Sequence, residues 1–413
     1  MIVRGGSVVT PEGIEVADVA IGADGTITAV APDLDEDGEE VDARGLHVFP
    51  GGIDSHVHFN EPGHSDWETI ADGSAALAAG GYTAFVDMPL NNLPVTTTAD
   101  AFDLKVAAMQ RSARVDFGLW GGLVPGNADE LQAMHERGAQ GFKAFMCPSG
   151  LDEFPMSDEA TLREGMKRIA ELDSILLVHA EDPRLLRDPT GPTAREFVES
   201  RPVDAEVEAI GNAIEWAAAA GCRLHVVHVS SLAGAELINS SAGDVSGETC
   251  PHYMLYSDSD MTLIGARAKC APPFRAEKMP ILPMVVSDHS PSTFDLKAGD
   301  DFRIIWGGIS GCQTTRLLLL AMGYEPTRVA AVTATNIARR FRIANKGDIA
   351  PGFDGDLWLV DPSHEDVVRR EDLLYKNKFS AHEGRPIRGR TVRTLVRGRN
   401  PAPGVARQLQ ARA

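Results

Sequence analysis

Cysteine is scarce in this chain. Five residues, Cys147, Cys222, Cys250, Cys270 and Cys312, are spread over 413 positions and form no Cys-x-x-Cys pair. An odd, scattered set argues against a disulfide framework and for a reduced, cytoplasmic protein. Positive charge is also short. Lys and Arg number 39 against 59 Asp and Glu, a net charge of −20. That balance argues against nucleic acid or an anionic membrane as partner. It does not constrain a small substrate, because a bound metal inverts the local field. Long apolar runs are missing. The densest, Leu317 to Leu320, falls far short of the ~20 residues of a membrane helix. The opening Met1-Ile-Val-Arg-Gly-Gly6 has no signal-peptide architecture. No internal repeat of roughly 20–50 residues breaks the chain, and no low-complexity segment does.

What is present is ordinary for a soluble globular protein: 43% hydrophobic and 24% charged residues. The length suits one large domain and a smaller one. The stretch that organises the chain is Phe49-Pro-Gly-Gly-Ile-Asp-Ser-His-Val-His58. Side chains alternate along a strand, so His56 and His58 leave the same face and can reach one metal ion.

Residues 1–48 read as short strands with a hairpin signal at Ala23-Asp24-Gly25 and an acidic loop over 33–40. From Pro50 the pattern becomes strand, then helix, repeatedly. Eight strand candidates follow: 52–58, 82–88, 116–123, 141–147, 174–180, 223–230, 246–253 and 284–289. Between them, apolar residues recur at three and four, as in Val207-Ile210-Ile214-Ala217. Eight such units over 50–341 predict an α/β fold, a TIM-type (β/α)8 barrel. Strand signals return after Gly347. The expected small β-sandwich domain combines 1–49 with 342–413.

Strand C-terminal ends meet at one mouth of such a barrel. His56 and His58 end the first strand, Lys143 sits on the fourth, His179 ends the fifth, His228 the sixth and Asp288 the eighth. Each has a plainer reading taken singly, since buried histidines are usually just hydrogen-bonded. Lys143, however, lies between Phe142 and Phe145 in an apolar strand, where an unpaired ammonium is costly. His225 alternates to the other face from His228. His252 is expected near the site rather than in it. His289 is expected to point away from Asp288, with a loop-capping role left open. His47, His135, His364 and His382 are expected at the surface.

Taken together, these residues resemble the cyclic amidohydrolases, the group of dihydroorotases, hydantoinases and allantoinases. The resemblance runs from Pro50-Gly51 to Asn377-Lys-Phe-Ser380. The stretches His56-Val-His-Phe-Asn-Glu-Pro-Gly63, Asp87-Met-Pro-Leu-Asn91, Ser149-Gly-Leu-Asp-Glu-Phe-Pro155, Lys269-Cys-Ala-Pro-Pro273, Ser287-Asp-His-Ser-Pro-Ser292 and Trp306-Gly-Gly-Ile-Ser-Gly311 are most similar to the allantoinase form. Dihydroorotases carry an Arg where this chain has Asn60, to pair with a substrate carboxylate; allantoin has none. The resemblance implies metal-dependent opening of the allantoin ring to allantoate. It implies two divalent ions, zinc the first choice, bridged by a carbamylated Lys143. His56, His58 and Asp288 would hold one ion and His179 and His228 the other. Asp288 would carry the proton, and Asn91 with the backbone at Cys270 and Gly307 would contact the substrate. A homotetramer is also implied. The loop from Pro148 to Pro155 is a candidate lid.

This chain departs from the family pattern in three places, one of them the short helix-and-loop interval Leu232 to Val245 after the sixth strand. His64 stands where an Arg is usual. The interval Ala276 to Pro283 is too short for a covering helix, which predicts exposed apolar backs on strands seven and eight unless something covers them. The competing readings are a hydantoinase or dihydroorotase and, from another class, a non-catalytic scaffold of the same fold.

Overall fold

The computed structural model describes residues 1–410. The N-terminal strands are β1 (Ile2–Val9), β2 (Ile14–Ile21), β3 (Ile27–Ala31), β4 (Glu40–Asp42) and β5 (His47–Pro50). They share one sheet with β14 (Leu357–Val367) and β15 (Pro386–Leu395), in the order β15-β14-β5-β1-β2-β3, with β4 beside β1. Trp358 pairs with Phe49 and Leu359 with Val48, so the C-terminal hairpin is stitched to the strand that leads into the barrel. Val3, Val19, Ile21, Val48, Leu357, Leu359 and Leu395 form the separate apolar core of this terminal β domain.

The barrel starts two residues after β5 ends. Its strands are β6 (Gly52–Val57), β7 (Tyr82–Asp87), β8 (Asp116–Leu119), β9 (Gly121–Gly122), β10 (Phe142–Phe145), β11 (Ile175–His179), β12 (Arg223–Val226) and β13 (Val245–Gly247). Every pairing among them is parallel. All residues of β6, β7 and β11 are buried, as a sheet covered on both faces requires. The helices are α1 (Ile70–Ala79), α2 (Ala99–Ser112), α3 (Glu130–Glu136), α4 (Glu159–Glu171), α5 (Ala194–Ser200), α6 (Val203–Ala220), α7 (Leu232–Ser240) and α8 (Pro251–Leu255). Thr69, Thr98 and Asp158 cap α1, α2 and α4 with side-chain oxygens on backbone N–H groups. The architecture is the TIM-type barrel with a terminal β domain.

Three of the predicted strands change on folding. The expected strand 116–123 splits at Trp120, whose indole donates to Ser55 O at 2.9 Å while its own N–H goes to Asp87 O at 3.0 Å. The seventh stops at Gly247, and Pro251 then opens α8, because proline suits the first turn of a helix and not a ladder. The eighth, expected over 284–289, is held by single bridges, Val285 to Thr249 and His289 to Val57. Part of its ladder is taken by a side chain: Ser287 N–H donates to Asp54 Oδ1 at 3.2 Å.

The short interval carries no helix over 276–283. The backs of the last strands are nevertheless covered, since Leu282, Met284, Val285 and Val286 are all buried. The cover comes from the same chain. Val285 N–H donates to Val332 O at 3.0 Å, and Asn336 Nδ2 to Pro283 O at 2.7 Å. A later helical segment thus fills a gap that sequence reading left open.

Candidate active site

The barrel brings the six predicted ligands to one mouth. His56, His58, Lys143, His179, His228 and Asp288 all line a single cavity of about 340 Å³. They fall into two groups with a lysine between. His56 Nε2 and His58 Nε2 lie 3.3 and 3.5 Å from the same oxygen, Asp288 Oδ1. His179 Nδ1 and His228 Nε2 face each other at 3.0 Å. The His56 and His228 rings, centroids 5.4 Å apart, connect the groups. The set His56, His58 and Asp288 has the spacing to hold a metal ion.

Backbone geometry aims these groups inward. His228 and Asp288 adopt positive φ, 39° and 45°, as does Asn91 at 73°. Left-handed backbone costs a non-glycine residue about 1 kcal/mol or more, and such residues gather at functional sites. Here it turns the chain at strand ends so that imidazole and carboxylate point across the mouth.

Burial sets the protonation of the cluster. It pushes His56 and His228 well below their ordinary range, and lowers His179, so all three rings are neutral with a lone pair to offer. Lys143 is 1% exposed and, among the described residues, its Nζ has no hydrogen-bond partner. Burial brings its ammonium down to about 7. A buried amine with no partner among the described residues, beside five side chains of metal-ligating type, fits a group that can be converted to an anionic ligand.

Carboxylates behind the rings fix their tautomers. Glu181 lies 2.8 Å from His179 Nε2, which leaves Nδ1 free to face the cavity. Burial opposes charge on Glu181, but Arg201 and His179 outweigh it and hold the carboxyl far below its usual range. Glu248 lies 2.6 Å from His56 Nδ1, leaving Nε2 for Asp288's side of the site. These two acids had been given no role from sequence. Glu181 carried a signal, since it sits two residues after His179. Glu248 carried none, because its contact spans 192 residues.

The remaining expectations resolve as follows. Asn91, Cys270 and Gly307 line the cavity with the ligands. Pro148, Ser149 and Gly150 of the expected lid do so too. Ser149 Oγ accepts from Leu151 N–H and donates to Phe154 O, which gives that loop its own fold. Asn60 is buried and donates to Pro291 O at 3.3 Å, behind the cavity wall. His64 stacks on Trp67 at 4.6 Å and places Nδ1 2.8 Å from Asn91 O, so it braces the wall. His225 turns away from the cavity, between Ser246 Oγ and Glu248. His289 points away from Asp288 and takes the N–H of Gly311 on Nδ1 while Nε2 meets Glu68. His252 is fully buried beside the site, with neither ring nitrogen partnered. One expectation fails: His382 is buried, not on the surface, stacked on Tyr256 at 5.7 Å. Residues far along the chain cover it, a contact no local pattern announces.

Comparison with known proteins adds the following. The Amidohydrolase family matches residues 47–389. The chain is 50% identical to the allantoinase of Rubrobacter xylanophilus, over 98% of this chain and 94% of that protein. It is 47% identical to the allantoinase of Solibacter usitatus, over 96% and 92%. Among solved structures, the L-hydantoinase (dihydropyrimidinase) of Arthrobacter aurescens superposes with a TM-score of 0.94, 30% identity and 99% of each chain covered.

Proposed function

Because the chain belongs to the amidohydrolase family and acts on cyclic amides, we propose that its reaction is hydrolysis of the allantoin ring to allantoate. The observation that carries this reading is the convergence of four imidazoles, one carboxylate and one orphaned lysine on a single cavity. The substrate within the class rests on relatives named allantoinases at up to 50% identity over nearly the whole chain.

In this reading His56, His58 and Asp288 would hold one divalent ion, and His179 and His228 the other. Lys143 would serve as a shared anionic ligand once its neutral amine had added carbon dioxide and released a proton. Mixed imidazole and carboxylate donors suit zinc among first-row metals. When bound, the ions supply Lewis acidity, polarising the scissile carbonyl and making water a nucleophile near neutral pH.

The protein's own groups do the rest. Asp288 takes the proton from the attacking water and hands it to the ring nitrogen as the C–N bond breaks. Asn91 and the backbone at Cys270 and Gly307 hold the ring edges, so the carbonyl is presented in one orientation. Pro148 to Pro155 limits the water that reaches the mouth. The scattered cysteines support a cytoplasmic enzyme, and the family resemblance supports a homotetramer. Among the described residues, no helix is long and apolar enough to cross a membrane.

The test uses one purified sample for metal analysis and for turnover of allantoin, hydantoin and dihydroorotate. Allantoin should be the preferred substrate, with two metal equivalents bound. Asp288→Asn should lower kcat by at least about 10²-fold, the scale of general acid–base catalysis. An active Asp288→Asn enzyme, or a preference for either rival substrate, refutes the reading.

A further inference from the structure

Lys269 is a buried lysine in the cavity wall that the proposed mechanism does not use. It is 7% exposed. Its Nζ donates to Ile305 O at 2.5 Å and lies 4.9 Å over the Phe197 ring. Among the described residues, Ile305 O is the one acceptor in hydrogen-bond reach of an ammonium that has three N–H groups. Lys269, Phe197, Ile305 and Trp306 all line the cavity. The indole Nε1 of Trp306 is buried without an acceptor.

The surroundings are built rather than loose. Gly308 N–H donates to Lys269 O at 2.8 Å, and Trp306 N–H to Leu296 O at 2.9 Å. Lys297, itself buried, spans the Ala266 and Lys269 carbonyls at 3.2 Å each. Two loops are thereby zipped together, the same two that offer Cys270 and Gly307. A donor and an acceptor are left side by side one residue before Cys270 and two before Gly307.

From this arrangement we propose that Lys269 Nζ and the Ile305 carbonyl form the subsite for the ureido arm of the substrate. The proposal rests on allantoin being the substrate. A ureido group carries a carbonyl that accepts and N–H groups that donate, matching the pair. A carboxylate carries acceptors only and would meet the Ile305 oxygen with repulsion. The arm is also what separates allantoin from unsubstituted hydantoin. The subsite therefore decides specificity, since a site built to hydrogen-bond a group discriminates against the analogue lacking it.

The experiment measures binding of two ring-opened acids to the metal-loaded, full-length enzyme by calorimetry. Allantoate carries the second ureido arm; N-carbamoylglycine lacks it. Wild type should bind allantoate more tightly. Lys269→Met should weaken allantoate on the order of 10- to 100-fold, the range of a hydrogen bond to a charged group. It should leave N-carbamoylglycine and metal content unchanged. Lys269→Gln, which keeps a donor at shorter reach, should lose less, and it carries the comparison if the Met variant does not fold. Equal weakening of both ligands would reassign Lys269 to the carboxylate and overturn the subsite. So would an unchanged allantoate affinity, or a wild type that does not prefer allantoate. Failure of wild type to open allantoin is a separate result and overturns the proposed substrate instead.

Discussion

Glu181 and Glu248 never face the cavity, yet they determine which nitrogen of each ring does. A histidine ligand needs its other nitrogen protonated, and a carboxylate behind it holds that proton in place. Glu181→Gln keeps the shape but removes the charge, whereas burial pushes the Glu248 carboxyl up to about 8, so Glu248→Gln replaces the acid facing His56 Nδ1 with an amide rather than removing a charge. Each change should weaken metal binding about 10- to 100-fold, measured by competition with a chelator. Unchanged affinity would mean the rings are oriented by packing alone. Phe145, stacked on His179 at 4.5 Å, is the group that would do so. At this scale the ligands were legible because each sits at a strand end with a local alternation to read. The acids were not, because a residue's partner across the barrel leaves no trace in its own neighbourhood.

Elements are positioned by a second set of buried charges. Lys105 on α2 is fully buried and pairs with Asp87 Oδ2 at 2.8 Å, at the end of β7. Its Nζ also donates to the carbonyl of Phe59 and, at 2.7 Å, to that of Glu61. Asp87 Oδ1 in turn accepts from Phe59 N–H at 2.7 Å. One lysine from a covering helix thus pins the turn that follows His58 and fixes where that imidazole ends up. Lys105→Met would leave Asp87 as a buried, unpaired charge. Removing one partner of such a pair costs about 3–5 kcal/mol, read as a lowered midpoint in a denaturant titration. A shift below about 1 kcal/mol would show that Asp87 simply takes up a proton. Nothing in the local sequence around Lys105 announces this pairing, because its partners lie on a different strand and turn.

The barrel and the terminal β domain meet at a charge cluster. Lys346 Nζ lies 2.6 Å from Asp116 of β8, 2.8 Å from Asp354 and 2.6 Å from Asp356, just before β14. Arg397, after β15, also pairs with Asp116. Burial works against the ammonium, but Asp356, Asp116 and Asp354 outweigh it and raise Lys346 above its ordinary value. Its stabilisation is therefore complete below about pH 10.4, the unfolded value, and is lost as pH rises through the folded one. Lys346→Met should cost about 3–5 kcal/mol at neutral pH, since three carboxylates lose their shared partner. The gap from wild type should narrow in alkaline unfolding experiments. A gap that widens with pH would contradict the assignment.

The sequence by itself determined the α/β barrel, because alternation along a strand and three-and-four spacing along a helix are short periods; its motifs carried the resemblance that gives the chemistry class, and it put six candidate ligands at strand positions that line one cavity. It also placed Asn91, Cys270 and Gly307 against the cavity. Only the tertiary structure decided what stands behind the ligands, why the gap before Asp288 is covered, and that Lys269 and the Ile305 carbonyl meet at 2.5 Å. The reason is physical: a desolvated charge must find its partner wherever the fold brings one, and that partner is set by packing across the whole chain rather than by any local pattern.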